Sequence, residues 1–172
     1  YDEENYTFVD YEDCWLGEQG RKVAATYVGL EDFTEIRPNF ETSYLFNDGS
    51  GTIEGTFDNF INAEVFNLEN DIYENPSWHY SYQQRYSKNN NVDYGKVLML
   101  GDSYAQVTAP FISLGVSELN PIIMRHYNDD FSLRDYIKER GYDTVIICYA
   151  QFMIGAHDNA TSANYRMFTF EY

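Results

Sequence analysis

The sequence predicts an α/β fold, with a partial three-layer parallel sheet over residues 96–150 and an irregular, β-rich N-terminal extension before it. Three observations carry this. Val97-Leu98-Met99-Leu100 is continuously apolar, as a strand buried on both faces of a parallel sheet must be. Two more apolar runs follow, Pro121-Ile122-Ile123-Met124 and residues 144–149, each far enough on to leave room for a crossover helix. Between them Ser132 is placed to cap a helix over 133–140, with Leu133, Tyr136 and Ile137 on one face and Gly141 as its stop.

The other elements follow in chain order. Residues 1–22 are acidic and aromatic, and Gly17 and Gly20 mark turns. Residues 23–28 read as a short strand, and Glu35-Ile36-Arg37-Pro38 should break any regular element. Phe40, Thr42, Tyr44 and Phe46 alternate on one face of a strand, Asn47 to Gly51 form a turn cluster, and residues 52–57 return, which makes a β-hairpin. Asp58 is read as the cap of a short helix taking in Phe60, Ile61, Ala63 and Val65. Residues 67–94 read as a long loop packed through Trp78, Tyr80 and Tyr82. Residues 104–116 carry Val107, Phe111, Leu114 and Val116 at near-helical spacing, and Pro110 should start or kink that helix. The tail, 151–172, alternates Tyr165, Met167 and Thr169 and would add an edge strand. Residues 1–95 are thus the hairpin-and-loop portion, and 96–172 the β-α-β-α-β core, of one domain.

Composition narrows the function. With 44% apolar residues the chain is too hydrophobic for disorder. A net charge of −17 repels nucleic acid and anionic membrane surfaces, so neither is expected as a partner, and it fits an extracytoplasmic location. No run of 18 apolar residues exists, and no signal peptide is visible. The chain opens on Tyr1-Asp2-Glu3-Glu4, which reads as a piece of a longer protein whose anchor lies upstream. Cys14 and Cys148 are expected to be free thiols. Without CxxC or Cys/His spacing, neither metal nor cofactor is expected. Tyrosine, at 17 copies, suits half-buried strand positions or a carbohydrate-binding face.

One constellation carries chemistry. Gly101-Asp102-Ser103 ends the first parallel strand, where an open α/β sheet gathers its active groups. Ser103 there can present its hydroxyl outward, with its own N–H and the helix N-terminus facing an oxyanion, and Gly101 permits the turn. The competing reading is an ordinary turn in which Ser103 or Asp102 only caps the helix. Ser103, Gly101 and Asp102 are the candidate catalytic residues. Tyr104, Arg125, His126 and Tyr149, at or beyond the strand ends, are candidate substrate-binding residues. Arg125 suits either an acidic sugar or a structural ion pair. A serine nucleophile needs a base held by an acid. His79, His126 and His157 are the three histidines, and none sits in an Asp-x-x-His pattern.

The stretch Lys96-Val97-Leu98-Met99-Leu100-Gly101-Asp102-Ser103-Tyr104, then Pro110-Phe111, Arg125, Tyr136-Ile137 and Asp143-Thr144-Val145-Ile146, resembles the C-terminal part of the DHHW family. Upstream, Asn5-Tyr6-Thr7, Leu16-Gly17-Glu18-Gln19-Gly20-Arg21-Lys22-Val23, Gly29-Leu30-Glu31-Asp32-Phe33 and Pro38-Asn39-Phe40-Glu41-Thr42 resemble sequence that follows the DHHW motif. The family is a bacterial SGNH-hydrolase-like group, flavodoxin-like in its sheet and related to alginate-type O-acetyltransferases. The resemblance implies acyl transfer or hydrolysis, most simply of acetyl, on a cell-envelope polysaccharide, with that polysaccharide and an acyl donor as the partners. It also implies an Asp-x-His pair ahead of the serine, in a motif that would precede Tyr1. The 172 residues alone should then show negligible esterase activity. The alternative function is a non-catalytic carbohydrate-binding or scaffold module, with Trp78, Tyr80, Tyr82 and Tyr86 as a glycan platform.

Overall fold

The computed structural model describes residues 2–15, 27, 29–47, 50–61, 85–127 and 130–151 of the chain. They belong to two compact units, one drawn from Tyr1–Glu41 and Thr56–Gln83, the other from Thr42–Gly55 and Gln84–Tyr172. The expected strand at 23–28, the loop aromatics Trp78, Tyr80 and Tyr82, Ala63, Val65, His79, His157 and the tail alternation lie wholly or almost wholly outside the described residues.

In the first unit, β1 (Tyr6–Trp15) pairs antiparallel with β2 (Glu31–Pro38). Glu35-Ile36-Arg37-Pro38 therefore does not interrupt structure, contrary to expectation. Pro38 occupies the last position of a two-stranded ribbon, where its missing N–H removes no interior ladder bond. A bulge with Asp13 at φ 48 shifts the register between Tyr11 and Trp15 and buries Cys14 beside Tyr11, Trp15 and Phe33. The fully buried Glu35 carboxylate is satisfied by Arg37 and by the Tyr11 hydroxyl at 3.3 Å. The turn after it is also corrected. Thr56, not Asp58, is the cap, and a 3-10 turn runs over Phe57–Phe60, with the Asn59 side chain accepting the Thr56 N–H at 2.8 Å.

The second unit is a six-stranded mixed sheet in the order β4-β3-β5-β7-β6-β8. Its strands are β3 (Tyr44–Asn47), β4 (Thr52–Gly55), β5 (Tyr86–Asn89), β6 (Lys96–Gly101), β7 (Glu118–Ile122) and β8 (Thr144–Cys148). β6 runs parallel to both β7 and β8, and every other pairing is antiparallel. The expected hairpin forms as β3–β4, with Tyr44 and Phe46 buried on its inner face. β5 falls in what reads as loop. It buries Ser87 and Asn89 rather than apolar side chains, so no hydrophobic alternation marks it.

β6 divides its side chains between two layers. Val97 and Met99 pack with Ala105 and Ala109 of α1 (Ala105–Ser113), while Leu98 and Leu100 pack with Leu133 of α2 (Leu133–Arg140). Each such buried side chain contributes about 1.5–3 kcal/mol, so β6 anchors both layers. α1 starts five residues before Pro110, not at it. Its inward face is Ala105, Ala109, Pro110 and Ser113, and Val107 is 45% exposed. Small residues, rather than the larger ones the spacing picks out, let the helix lie close on the sheet. The buried Asn89 amide closes the far end of α1, donating to the Ser113 carbonyl at 3.0 Å and the Leu114 carbonyl at 3.4 Å. α2 follows expectation. The Ser132 hydroxyl accepts the Asp135 N–H at 3.2 Å, and Gly141 adopts φ 62, ψ 53. Both cysteines are free thiols, and no described helix is long and apolar enough to cross a membrane.

Candidate active site

The parallel strands β6, β7 and β8 share one carboxyl edge, and the candidate residues collect there. The register pairs Leu100 with Ile122 and Gly101 with Cys148. Beyond those pairs the chain delivers Ser103 and Tyr104 from β6, Arg125 and His126 from β7, and Tyr149 from β8. Sequence and topology together thus bring every named site residue to this edge.

The turn that carries Ser103 is built by Asp102. Asp102 is 3% exposed, and its carboxylate accepts two backbone N–H groups: Tyr104 at 2.8 Å and Ala150 at 2.7 Å. The first bond closes an Asx turn over Ser103, and the second ties the end of β6 to the end of β8. Gly101 contributes differently from the expectation. It is the last residue of β6, paired with Cys148, and it is not among the residues with positive φ. The bend comes from the Asp102 carboxylate, not from glycine freedom.

This geometry makes Asp102, not Ser103, the residue whose side chain caps the turn. The amides of Tyr104, Ala105 and Gln106 are committed to the Asp102 side chain, the Asp102 carbonyl (3.1 Å) and the Ser103 carbonyl (3.2 Å). Ser103 itself is exposed, and neither its hydroxyl nor its N–H bonds to another described residue. One hydroxyl and one amide donor on the same residue are therefore open to a ligand at the start of α1, where the helix dipole favours negative charge.

The surroundings are aromatic. Tyr104 is 49% exposed beside the serine. Tyr149 is half-buried, and burial together with the nearby Asp102 charge pushes its hydroxyl up to about 12, so it stays a neutral donor. Arg125 and His126 are exposed on a 3-10 turn, Met124–His126, anchored by the buried Met124. Tyr127, the next residue, has its hydroxyl raised by burial. Among the described residues no group of three or more His, Cys, Asp or Glu side chains gathers. The clasp from Asp102 to the Ala150 N–H has no sequence signal, because its partner is a backbone group.

A mixed sheet with helices on both faces, and a serine at the end of its central parallel strand, defines an α/β fold of the kind whose chemistry sits at strand ends. Solved structures share it. The chain is similar to PatB1 of Bacillus cereus with a sulfonyl adduct, at a TM-score of 0.61 and 17% identity, covering 87% of this chain and 48% of that one. PatB1 without an adduct matches at 0.56 and 17%, over 87% and 50%. A DHHW family protein from Eubacterium siraeum matches at 0.58 and 14%, over 87% and 49%. The chain thus spans about half the length of each. No family model and no curated protein matches it.

Proposed function

We propose that this chain is the nucleophile-bearing part of an extracytoplasmic SGNH-type acyltransferase or esterase acting on a cell-envelope polysaccharide. The observation that carries the reading is Ser103, exposed at the end of β6 with its hydroxyl and N–H unengaged by other described residues while Asp102 fixes its turn. The shared fold supports it, as does the sulfonyl adduct on PatB1, since such an adduct needs a nucleophile on that protein.

The Ser103 oxygen attacks the donor's acyl carbonyl. The carbonyl oxygen becomes an oxyanion facing the Ser103 N–H. The donor alcohol or thiol departs with a proton, leaving an acyl ester on Ser103. A sugar hydroxyl then attacks that ester, the acyl group moves to the sugar, and the serine regains its proton; water in place of the sugar gives hydrolysis. The base for both steps is not on this chain in an Asp-x-His pattern. Triad members act as a unit, so the chain without such a pair turns over little. Arg125, His126, Tyr104 and Tyr149 are proposed to contact substrate, and Asp102 to position the serine.

The test is intact-mass analysis of the full-length protein after exposure to p-nitrophenyl acetate. One acetyl group on the peptide containing Ser103, absent in Ser103→Ala, is expected. An acetyl group elsewhere, with Ser103 unmodified, would overturn the reading.

A further inference from the structure

The second unit has a concave feature over the antiparallel part of its sheet. A cleft of about 430 Å³ lies on the α2 face of β3, β5 and β7, bounded by the last turn of α2. Its volume falls in the range of small-ligand sites.

We propose that this cleft is a binding subsite for an anionic sugar, an inference that rests on the acyl-transfer reading for its place in a reaction but not for its chemistry. Charge is the first ground. The chain carries 28 acidic residues against 11 basic ones, yet the charged residues lining the cleft are both cations, Lys88 and Arg140. Neither forms an ion pair with a carboxylate among the described residues. Lys96 and Arg37, by contrast, are paired, with Glu118 at 3.3 Å and with Glu35. Glu118, directly across the ladder from Lys88, is engaged by Lys96 and by the Tyr86 hydroxyl, so two cations with no carboxylate at ion-pair distance among the described residues line one cavity, where an anion would gain two partners.

The second ground is shape and polarity. The Arg140 guanidinium stacks on the Tyr136 ring, 4.9 Å from its centroid, which fixes the direction of its fork. Tyr86 and Tyr136 bring aromatic side chains to the lining, with one face of Tyr136 covered by Arg140, and Asn47 and Thr52 add an amide and a hydroxyl. Aromatic side chains together with polar groups suit a pyranose, which has apolar faces and equatorial hydroxyls. A bare inorganic anion would use only the cations.

The third ground is position. β5 runs antiparallel to β7, so its first residue, Tyr86, lies toward the carboxyl end of the parallel strands. Asn47 pairs with both Tyr86 and Thr52, which brings the rim to that same edge. Ser103 emerges there from β6, two strands from β5 with β7 between them. Tyr86 stands level with Asn120 and, across β7, with Leu98, five residues before Ser103, so the separation is about 10 Å across the strands and about 15 Å along them, a reach of a few sugar residues. An anionic residue held in the cleft would leave a sugar a few residues along the same chain on the Ser103 side.

Calorimetric titration of the protein with glucuronate, glucose 6-phosphate, glucose and sulfate tests this. Glucuronate or glucose 6-phosphate should bind at least tenfold more tightly than glucose or sulfate, and the tighter of the two names the charge. Lys88→Gln and Arg140→Gln should each weaken that binding about tenfold, the loss expected for one charge-assisted hydrogen bond. Arg134→Gln, an exposed cation on α2 outside the cleft, should leave it unchanged. Equal binding of glucose or sulfate, or binding indifferent to both substitutions, overturns the proposal. Acetylation of Ser103 by p-nitrophenyl acetate in the unsubstituted protein separates the two readings: if it occurs while neither glucuronate nor glucose 6-phosphate binds, the cleft proposal alone falls.

Discussion

Asp102 and Ser103 are neighbours with opposite fates. One is buried with both carboxylate oxygens engaged, and the other is exposed with its hydroxyl open. Removing the carboxylate by Asp102→Ala strands two backbone donors, those of Tyr104 and Ala150. Unfolding in urea should show a loss of about 3 kcal/mol; a loss under 0.5 kcal/mol would mean the clasp does not form. Ser87 makes the reverse case. Its hydroxyl is buried without a hydrogen-bond partner among the described residues, so Ser87→Ala should raise stability by up to about 1 kcal/mol, and a clear destabilisation would reveal a partner. The Ser103 turn was legible in the sequence as a serine at a strand end. Which of Asp102 and Ser103 caps the turn was not, because it depends on which oxygen the Tyr104 amide meets.

Legibility at the scale of elements followed hydrophobic contrast. β6, β8 and α2 stand where apolar runs and the Ser132 and Gly141 caps put them, whereas β7 starts three residues ahead of the run at 121–124, and that run's last two residues lie beyond the strand. β5 and β2 escaped notice for different reasons. β5 buries polar Ser87 and Asn89, and β2 carries a buried Glu35 and ends in a proline. Both are held by partners distant in sequence, which local pattern cannot register. Asn89 shows what such a polar strand residue does. Its amide closes the end of α1 and its oxygen accepts the Asn91 N–H at 2.9 Å, so it joins β5, α1 and the following turn. Asn89→Ala should cost about 2 kcal/mol in thermal or urea unfolding, and Asn89→Asp nearly as much, because it replaces a donor with an acceptor facing carbonyls. A neutral result for both would remove Asn89 from the closure of α1.

Across the whole molecule, tyrosine sets the response to alkali. Burial raises the hydroxyls of Tyr11, Tyr86, Tyr127, Tyr142 and Tyr149, and Tyr149 reaches about 12. The folded state therefore holds these protons more tightly than the unfolded chain, whose tyrosines titrate near 10. The stability so conferred is complete below about pH 10 and is lost as pH climbs from there toward 12. Melting temperatures measured from pH 8 to 11.5 should stay level to about pH 10 and then fall, less steeply in Tyr149→Phe. A profile flat to pH 11.5 would contradict it. The same acidic, aromatic molecule presents at one sheet edge the exposed Ser103, proposed here as the nucleophile, and the most direct check on that proposal is covalent. A fluorophosphonate probe applied to the full-length protein should attach to Ser103 alone and vanish in Ser103→Ala. Probe that fails to attach, or that persists undiminished after the substitution, would contradict the assignment of Ser103 as the nucleophile.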